Sequence, residues 1–187
     1  MRTRILLLAA SLAAATSAFS QITVFSDGFQ GETGTGLNYT NFVNWNVADG
    51  TVDLLGSGGN PGRWVDLDGS TGNAGSFSTK SSFNFEAGVV YTLSFDYWST
   101  GGTNNATATI GSFQVPFTRS SGTPIALSAP FSFASATSAS LVFQDLGNDN
   151  VGMGIDNVLI TSPVPEPATL AALGLGAAAL LRRRRRS

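Results

Sequence analysis

The chain contains the stretch Val89-Val90-Tyr91-Thr92-Leu93-Ser94-Phe95-Asp96-Tyr97-Trp98. Apolar and polar side chains alternate along it, so that Tyr91, Leu93 and Phe95 share one face while Thr92 and Ser94 lie on the other. Such alternation is typical of a half-buried β-strand, because successive side chains point to opposite faces of a sheet. We predict that residues 89–98 form a central strand whose last residue, a tryptophan, faces away from the apolar side.

Ten further stretches have strand character: 22–25, 44–47, 51–55, 63–67, 75–79, 107–110, 114–117, 131–133, 140–144 and 154–161. Turn signals rich in Gly, Asp and Asn lie between them, at 49–50, 56–62, 68–69, 101–105 and 147–150. Within residues 21–161, no comparable stretch has helical periodicity. Many short strands at this spacing predict an all-β fold, an antiparallel two-sheet β-sandwich.

Composition excludes several classes of function. The chain has 187 residues but no cysteine and no histidine, so disulfides, the Ser-His-Asp triad and the usual zinc ligands are excluded. Residues 21–162 carry eleven acidic and three basic side chains, a formal charge of −8, and such a surface repels nucleic acid. A glycosidase could still use carboxylates such as Asp53, Asp66 or Asp96, but no two acids stand at a definable distance. We predict that the protein is not an enzyme.

Residues 1–20 follow the plan of a secretory signal peptide. Arg2 and Arg4 precede an apolar run over 5–15, and small residues follow near Ala18. The run is too short to span a bilayer, which argues against the alternative of a retained anchor. We predict export through Sec and signal peptidase, with cleavage before Gln21 or, as the alternative, after Ala18. The β-sandwich domain is then expected over residues 21–161.

Residues 162–187 form a segment of three parts. A proline-rich knuckle, Pro163-Val164-Pro165-Glu166-Pro167, precedes an uncharged run rich in Ala and Leu over 168–181. The run favours a hydrophobic helix of about 21 Å, which is short for a bilayer core of about 30 Å. The basic block that follows predicts a cytoplasmic stop by the positive-inside rule. It consists of Arg182, Arg183, Arg184, Arg185 and Arg186.

This segment resembles the PEP-CTERM sorting signal of Gram-negative bacteria. The resemblance rests on the motif Val164, Pro165, Glu166 and Pro167, on the short apolar helix and on the terminal arginines. It implies recognition by an exosortase, a membrane transpeptidase that processes its substrate near the Pro-Glu-Pro motif. The protein would be anchored transiently in the inner membrane and then released or re-attached outside. An ordinary tail anchor with a proline hinge is the alternative.

The middle of the chain resembles galactose-binding-like and carbohydrate-binding-module jelly rolls. The matching pieces are Asp27-Gly28-Phe29-Gln30, Trp64-Val65-Asp66-Leu67-Asp68-Gly69, residues 87–95 and Gly154-Ile155-Asp156-Asn157-Val158. The resemblance spans most of residues 21–161 and implies a jelly-roll sandwich. It implies a ligand less strongly, since one fold hosts many functions.

In that family a structural calcium ion often joins the first loop to the last strand. The resemblance places this site at Asp27, at Gln30 or Glu32, and at Asp156, because Ca²⁺ takes several oxygen ligands. Gln30 stands where the family often has glutamate, which weakens the charge of the site. The alternative is that Asp27 caps a turn through its side chain and that Asp156 is a strand-edge carboxylate.

Two other loops are rich in acidic and amide side chains. The loop at 66–71 contains Asp66 and Asp68 but lacks the spacing and the final glutamate of an EF-hand. We predict a strand end followed by an Asp-Gly turn there. The loop at 145–150 contains Asp145, Asp149 and Asn150 and is predicted to be a solvated hairpin connection.

Three tryptophans are candidates for stacking on a sugar ring, because an indole offers an apolar plate with a polar edge. They are Trp98, Trp45 and Trp64. We predict that Trp98 is exposed, since it lies opposite the apolar face of its strand and next to Asp96. The alternative is that all three are core or edge-sealing residues, as large aromatic residues in sandwiches usually are.

These features together predict an exported protein of the cell surface or the extracellular matrix, sorted by an exosortase. Its jelly-roll domain is expected to bind carbohydrate, such as an exopolysaccharide, without catalysing a reaction. A purely structural or adhesive matrix protein without a discrete sugar ligand is the alternative.

Overall fold

The computed structural model describes residues 21–147 and 149–164. These residues form thirteen strands: β1 Gln21–Asp27, β2 Trp45–Ala48, β3 Asp53–Gly59, β4 Gly62–Asp66, β5 Ser76–Thr79, β6 Phe83–Phe85, β7 Tyr91–Ser99, β8 Thr103–Ile110, β9 Phe113–Ser120, β10 Ile125–Phe131, β11 Thr137–Ala139, β12 Leu141–Asp145 and β13 Met153–Pro163. Among the described residues, no helix has the length and hydrophobicity that a membrane-spanning segment needs. The predicted signal peptide at 1–20, the predicted hydrophobic helix and the arginine block lie outside the described residues.

The strands build two main sheets and one small one. The six-stranded sheet has the order β10-β7-β13-β4-β3, with β1 paired to β13. The five-stranded sheet has the order β2-β5-β12-β8-β9, and β6 pairs with β11. All of these pairings are antiparallel. The predicted all-β fold with antiparallel sheets is confirmed.

The stretch that decides the fold is confirmed as an inner strand. β7 lies between β10 and β13, and its apolar residues Tyr91, Leu93 and Phe95 are buried while the polar residues between them are half-buried. The strand begins two residues later than predicted. Gly88 turns the chain before it with a φ of 73°, and Val90 is exposed.

Several strands differ from the prediction: β6 and β11 were not predicted, and β3 continues to Gly59 through residues predicted to form a turn. In β10 and β8, strand pairing overrides a weak local signal. β10 was expected only at its end, yet it pairs along β7 from Ile125↔Tyr97 to Phe131↔Tyr91. Its Ala, Ser and Pro residues favour strands poorly, and Pro130 is tolerated because β10 is an edge strand. β8 starts at Thr103, within a stretch predicted to be a turn, because it pairs with β9 as far as Ser120.

The core lies between the two main sheets and is largely aromatic. Phe95 of β7 lies 5.0 Å, between ring centroids, from Phe117 of β9 and from Phe143 of β12. Apolar residues from both sheets, such as Ile155 and Ala108, complete the buried cluster. Burial of these faces stabilises the sandwich by about 25 cal/mol for each Å² of apolar surface removed from water.

Candidate functional site

The first and last strands bring together the positions that the resemblance assigns to calcium. Asp27 at the end of β1 is the register partner of Val158 in β13, two residues after Asp156. Burial raises the pKa of Asp156 to about 6, and repulsion from Asp96 and Asp27 adds to the rise. Gln30 follows in the loop after β1. The loop after the first strand and the last strand therefore meet here, as the resemblance implied.

The side chain of Gln30 reaches across this junction to the β3–β4 hairpin. Its Nε2 lies 2.8 Å from the carbonyl oxygen of Gly28, 2.6 Å from that of Pro61 and 3.2 Å from that of Arg63. Its Oε1 accepts from the backbone N–H of Arg63 at 3.4 Å. The carboxamide is thus oriented with its N–H donors toward three carbonyl oxygens.

The carboxylate of Asp27 is occupied by three protein donors. Its Oδ1 accepts from the backbone N–H of Phe29 at 2.7 Å, which is the turn-capping role that the sequence left open. Its Oδ2 accepts from Asn44 Nδ2 at 3.0 Å and from Trp45 Nε1 at 2.9 Å. Asp27 therefore fastens the loop after β1 to the start of β2.

The other two acids of the predicted calcium site also accept backbone N–H groups. Both carboxylate oxygens of Glu32 lie 3.0 Å from the backbone nitrogen of Val43, and burial raises the pKa of Glu32. The two oxygens of Asp156 accept from the backbone nitrogens of Asn60 and Asn157, each at 2.7 Å. Asp156 is fully buried, so it is not the strand-edge carboxylate of the alternative interpretation.

This donor set does not fit a calcium ion. A Ca²⁺ site needs several oxygens that point at one cation, whereas here an amide nitrogen faces the converging carbonyls. The guanidinium of Arg63 donates from Nη1 to the carbonyl oxygen of Gln30 at 2.9 Å, which brings positive charge to the same place. Within 21–147 and 149–164, no group of three His, Cys, Asp or Glu residues could hold a metal ion.

Trp45 lies in the core rather than at a surface. Its side chain is fully buried and stacks on Phe77 with ring centroids 4.4 Å apart and an interplanar angle of 8°. Its N–H is the donor that binds Asp27. In this arrangement no ring face of Trp45 is open to a sugar.

Trp64 and Trp98 form a pair on the outer face of the six-stranded sheet. Their ring centroids are 4.9 Å apart, and neither belongs to the main core cluster. The predicted facing of Trp98, away from Phe95, follows from the regular register of β7. The predicted exposure is wrong, because Trp98 is 6% exposed and Trp64 8%.

The burial of Trp98 has a local cause in β13. Trp98 pairs with Gly154, and a Cβ added at Gly154 would lie 2.6 Å from Cε2 of the indole. The missing side chain therefore lets the ring lie against the neighbouring strand, where Trp64 covers it. Trp64 is itself held by a hydrogen bond from Nε1 to the carbonyl oxygen of Ser57 at 2.8 Å. A sugar-binding role for this pair stays a prediction.

Acidic side chains share this outer face with the two indoles. Asp66 of β4 pairs with Asp53 of β3 on one side and with Gly154 on the other. Burial raises the pKa of Asp66 to about 7, and repulsion from Asp53 and Asp145 adds to the rise. Two hydrogen bonds, from the backbone of Asp68 and from the Thr100 side chain, act in the opposite direction.

The two acidic loops of the sequence meet in the structure. Oδ2 of Asp68 accepts from the backbone nitrogen of Asp149 at 3.2 Å. The two oxygens of Asp145 accept from the backbone nitrogens of Gly147 and Met153, each at 2.7 Å. Burial raises the pKa of both Asp68 and Asp145. These carboxylates therefore organise the loops, and Asp145 is buried rather than solvated as predicted.

The outer face of the five-stranded sheet is a polar surface that the sequence analysis missed. On these five described strands, the outward positions carry no charged and no aromatic side chain. We call this surface the polar sheet face, and it consists of Asn46, Ser76, Ser78, Thr103, Asn105, Thr107, Thr109, Gln114, Thr118, Ser120 and Gln144 together with Ala48, Pro116 and Val142. The alternation Asn-Ala-Thr-Ala-Thr at 105–109 indicates the part of this surface that β8 contributes. The neighbouring strips come from distant parts of the chain.

Comparison with protein families identifies one segment of the chain. A family model described as the PEP-CTERM protein-sorting motif matches residues 163–186. The chain carries a PEP-CTERM sorting motif. The PEP-CTERM motif spans the predicted Pro-Glu-Pro knuckle, the apolar run and the arginine block, and confirms the resemblance seen in the sequence. It indicates an exported protein with a membrane-anchoring signal before processing. A search of curated proteins finds no match.

Solved structures that resemble this chain include carbohydrate-binding modules and a phage tailspike domain. The C-terminal family 22 carbohydrate-binding module of Clostridium thermocellum Xyn10B is 18% identical, with a TM-score of 0.51. The match covers 77% of this chain and 96% of the module. The CBM22-1-GH10 modules of Clostridium thermocellum endo-1,4-beta-D-xylanase 10B, complexed with xylohexaose, are 16% identical with a TM-score of 0.51 and 74% of this chain covered. The enzymatically active domain of bacteriophage CBA120 tailspike protein 4 is 15% identical, with a TM-score of 0.50 and 68% of this chain covered.

These likenesses confirm the predicted jelly-roll type of sandwich. The match spans only 28% of the xylanase structure and 20% of the tailspike structure. At these sequence identities the likeness shows a shared fold and does not indicate a ligand. A ligand-binding site has to be argued from the residues of the PEP-CTERM protein itself.

Proposed function

We propose that this protein is exported, anchored transiently in the inner membrane and processed by an exosortase at its PEP-CTERM motif. We propose further that its β-sandwich binds a neutral polysaccharide without catalysing a reaction. The motif at 163–186 and the likeness to carbohydrate-binding modules support the two parts respectively. The observation that carries the binding part is the uncharged polar sheet face.

The polar sheet face matches the chemistry of a neutral sugar chain. Ser, Thr, Asn and Gln side chains both donate and accept hydrogen bonds, as sugar hydroxyls do. Two rows of outward residues cross all five strands, and one runs from Asn46 through Ser78, Val142 and Thr109 to Gln114. Five strands about 4.8 Å apart span about 19 Å, enough for several sugar residues.

Charge selects among polysaccharides. Residues 21–162, which contain the β-sandwich, carry eleven acidic and three basic side chains. This negative charge repels acidic polysaccharides. The polar sheet face itself has no ionic group to desolvate, which lowers the cost of covering it with a neutral chain. It also contains no titratable side chain, so this surface offers no general acid or base for hydrolysis.

Two glutamates placed in the middle of the polar sheet face should abolish binding. We expect the double variant Thr107→Glu/Thr109→Glu to bind neutral polysaccharide at least about tenfold more weakly. The bound sugar chain would cover two carboxylates, which would lose their water without gaining a charged partner. Affinity electrophoresis in gels containing xylan or mixed-linkage β-glucan measures this change. The matched control is Thr92→Glu/Ser94→Glu, which adds the same charge to the outer face of the other sheet.

Three results decide the location of the site. Retardation of the wild-type protein that is lost in the Thr107/Thr109 variant and kept in the control supports the polar sheet face. Equal retardation of both variants moves the site elsewhere. If a folded Trp98→Phe variant alone loses binding, the outer-face tryptophan pair is the site instead.

A structural or adhesive matrix protein is the second candidate. The burial of Trp45, Trp64 and Trp98 favours it, because none of them presents the aromatic plate on which sugars commonly stack. A glycan array separates the candidates. The adhesive function predicts no discrete ligand on the array, whereas the binding function predicts retention of at least one neutral glycan.

Processing at the PEP-CTERM motif has a direct readout in mass. In a host that contains an exosortase, we expect the exported protein to lack the arginine block at 182–186. A variant with alanines at Pro165, Glu166 and Pro167 should stay in the membrane fraction and keep the arginines. Intact-mass spectrometry of both fractions measures this. Wild-type protein that stays in the membrane fraction and retains the arginines would identify an ordinary tail anchor.

A further inference from the structure

Three backbone carbonyl oxygens from two distant loops converge at one point. Gly28 supplies the first from the loop after β1, and Pro61 and Arg63 supply the others from the β3–β4 hairpin. Carbonyl oxygens that face one another repel, so a positive or hydrogen-bond-donating group must lie between them. In this protein that group is the side-chain amide nitrogen of Gln30, at 2.6–3.2 Å from each oxygen.

Several contacts fix the orientation of the Gln30 carboxamide. The backbone N–H of Arg63 donates to Oε1, so exchanging the amide oxygen and nitrogen would place the amide oxygen against three carbonyl oxygens and the amide nitrogen against an N–H donor. The Arg63 side chain also donates to the backbone carbonyl of Gln30, which ties the same two loops a second time. The carboxylates nearby, Asp27 and Asp156, already accept from protein donors.

We propose that the Gln30 carboxamide holds the first loop to the β3–β4 hairpin in place of a metal ion. The wild-type junction is then independent of calcium. A single change, Gln30→Glu, replaces the amide NH2 donor with an oxygen. A negatively charged carboxylate then faces the three carbonyl oxygens. That set supplies the hard oxygen ligands that Ca²⁺ prefers, with water completing the coordination.

Thermal unfolding of the purified full-length chain in EDTA and in millimolar calcium chloride tests the proposal. We expect the Tm of the wild type to be the same in both. Gln30→Glu should lower the Tm in EDTA by about 4 °C or more, because the carboxylate repels the carbonyls, and calcium should restore it. Gln30 is exposed, so both reagents can reach the junction.

Two variants make the comparison specific. Gln114→Glu introduces the same chemical change at an exposed position of β9 and should respond to neither reagent. Gln30→Met keeps the length of the side chain but has no donor, so it should lower the Tm without any response to calcium. It also tests the amide bridge if Gln30→Glu does not fold.

Each other result counts against the proposal. A rise in the Tm of the wild type with calcium would show that the native junction binds a cation. A Gln30→Met protein as stable as the wild type would show that the amide does not hold the loops. A Gln30→Glu protein that is destabilised but not restored by calcium would exclude the latent metal site.

Discussion

Replacing Trp45 with alanine is expected to lower the free energy of unfolding by about 3–5 kcal/mol. The indole is fully buried, stacks on Phe77 at 4.4 Å, and lies 5.6 Å from Phe25 and 5.9 Å from Phe143 between ring centroids. Its removal leaves a cavity between the sheets and also leaves Asp27 without one of its donors. Because domains are stable by only about 5–15 kcal/mol, such a loss is a large share of the total. Urea denaturation followed by circular dichroism measures it.

Trp45→Phe separates the two contributions. Phenylalanine keeps an aromatic ring in the core but cannot donate to Asp27, so we expect a smaller loss, about 1–3 kcal/mol. An alanine variant with an unchanged urea midpoint would contradict the core assignment and would return Trp45 to the candidates for a ligand-binding surface.

The second large effect is a loss of stability as the pH rises, caused mainly by Asp66. Burial raises the pKa of this carboxyl from 3.8 to about 7, so the folded state binds its proton more tightly than the unfolded chain does. The stabilisation by the proton is complete below pH 3.8 and is lost as the pH rises through about 7. A rise of this size corresponds to about 4 kcal/mol, since one pKa unit is worth about 1.4 kcal/mol.

Asp66→Asn should weaken this dependence on pH, while the other buried carboxyls with raised pKa values, Asp156 among them, keep a smaller part of it. The amide cannot ionise, and its oxygen can still accept from the backbone of Asp68, so we expect a higher urea midpoint than the wild type at pH 8 and a similar one at pH 4. Asp49→Asn is the matched control, because it removes one carboxyl at an exposed position. If the wild type were more stable at pH 8 than at pH 4, or if both variants behaved alike, the assignment to Asp66 would be wrong.

The sequence predicted those elements whose signal is local. Strict alternation of large apolar and polar residues in β7 identified an inner strand, and the same parity placed Trp98 opposite Phe95. β10 lacks that contrast, because small and polar residues fill its outward positions. It is a strand because β7 offers it a full set of backbone hydrogen-bonding partners.

The candidate site was predictable only in part. The neighbourhood of Asp27 and Asp156 was implied by the resemblance to jelly-roll domains, and β1 does pair with β13 here. The role of Gln30 was not visible, since the carbonyl groups that it binds belong to the backbone of a hairpin thirty-one to thirty-three residues away. The pattern of side chains in a sequence does not indicate where backbone carbonyl oxygens converge in the folded protein.

The amino-acid sequence by itself determined the all-β class, the absence of histidine and cysteine chemistry and the PEP-CTERM address, because each depends on residue types or on contiguous order. Only the tertiary structure decided which side chains are covered. Trp98 lies on the predicted face but is buried, because a glycine in a strand fifty-six residues later leaves room for its ring. Burial and hydrogen bonding depend on neighbours from distant parts of the chain, and those neighbours are set by strand pairing.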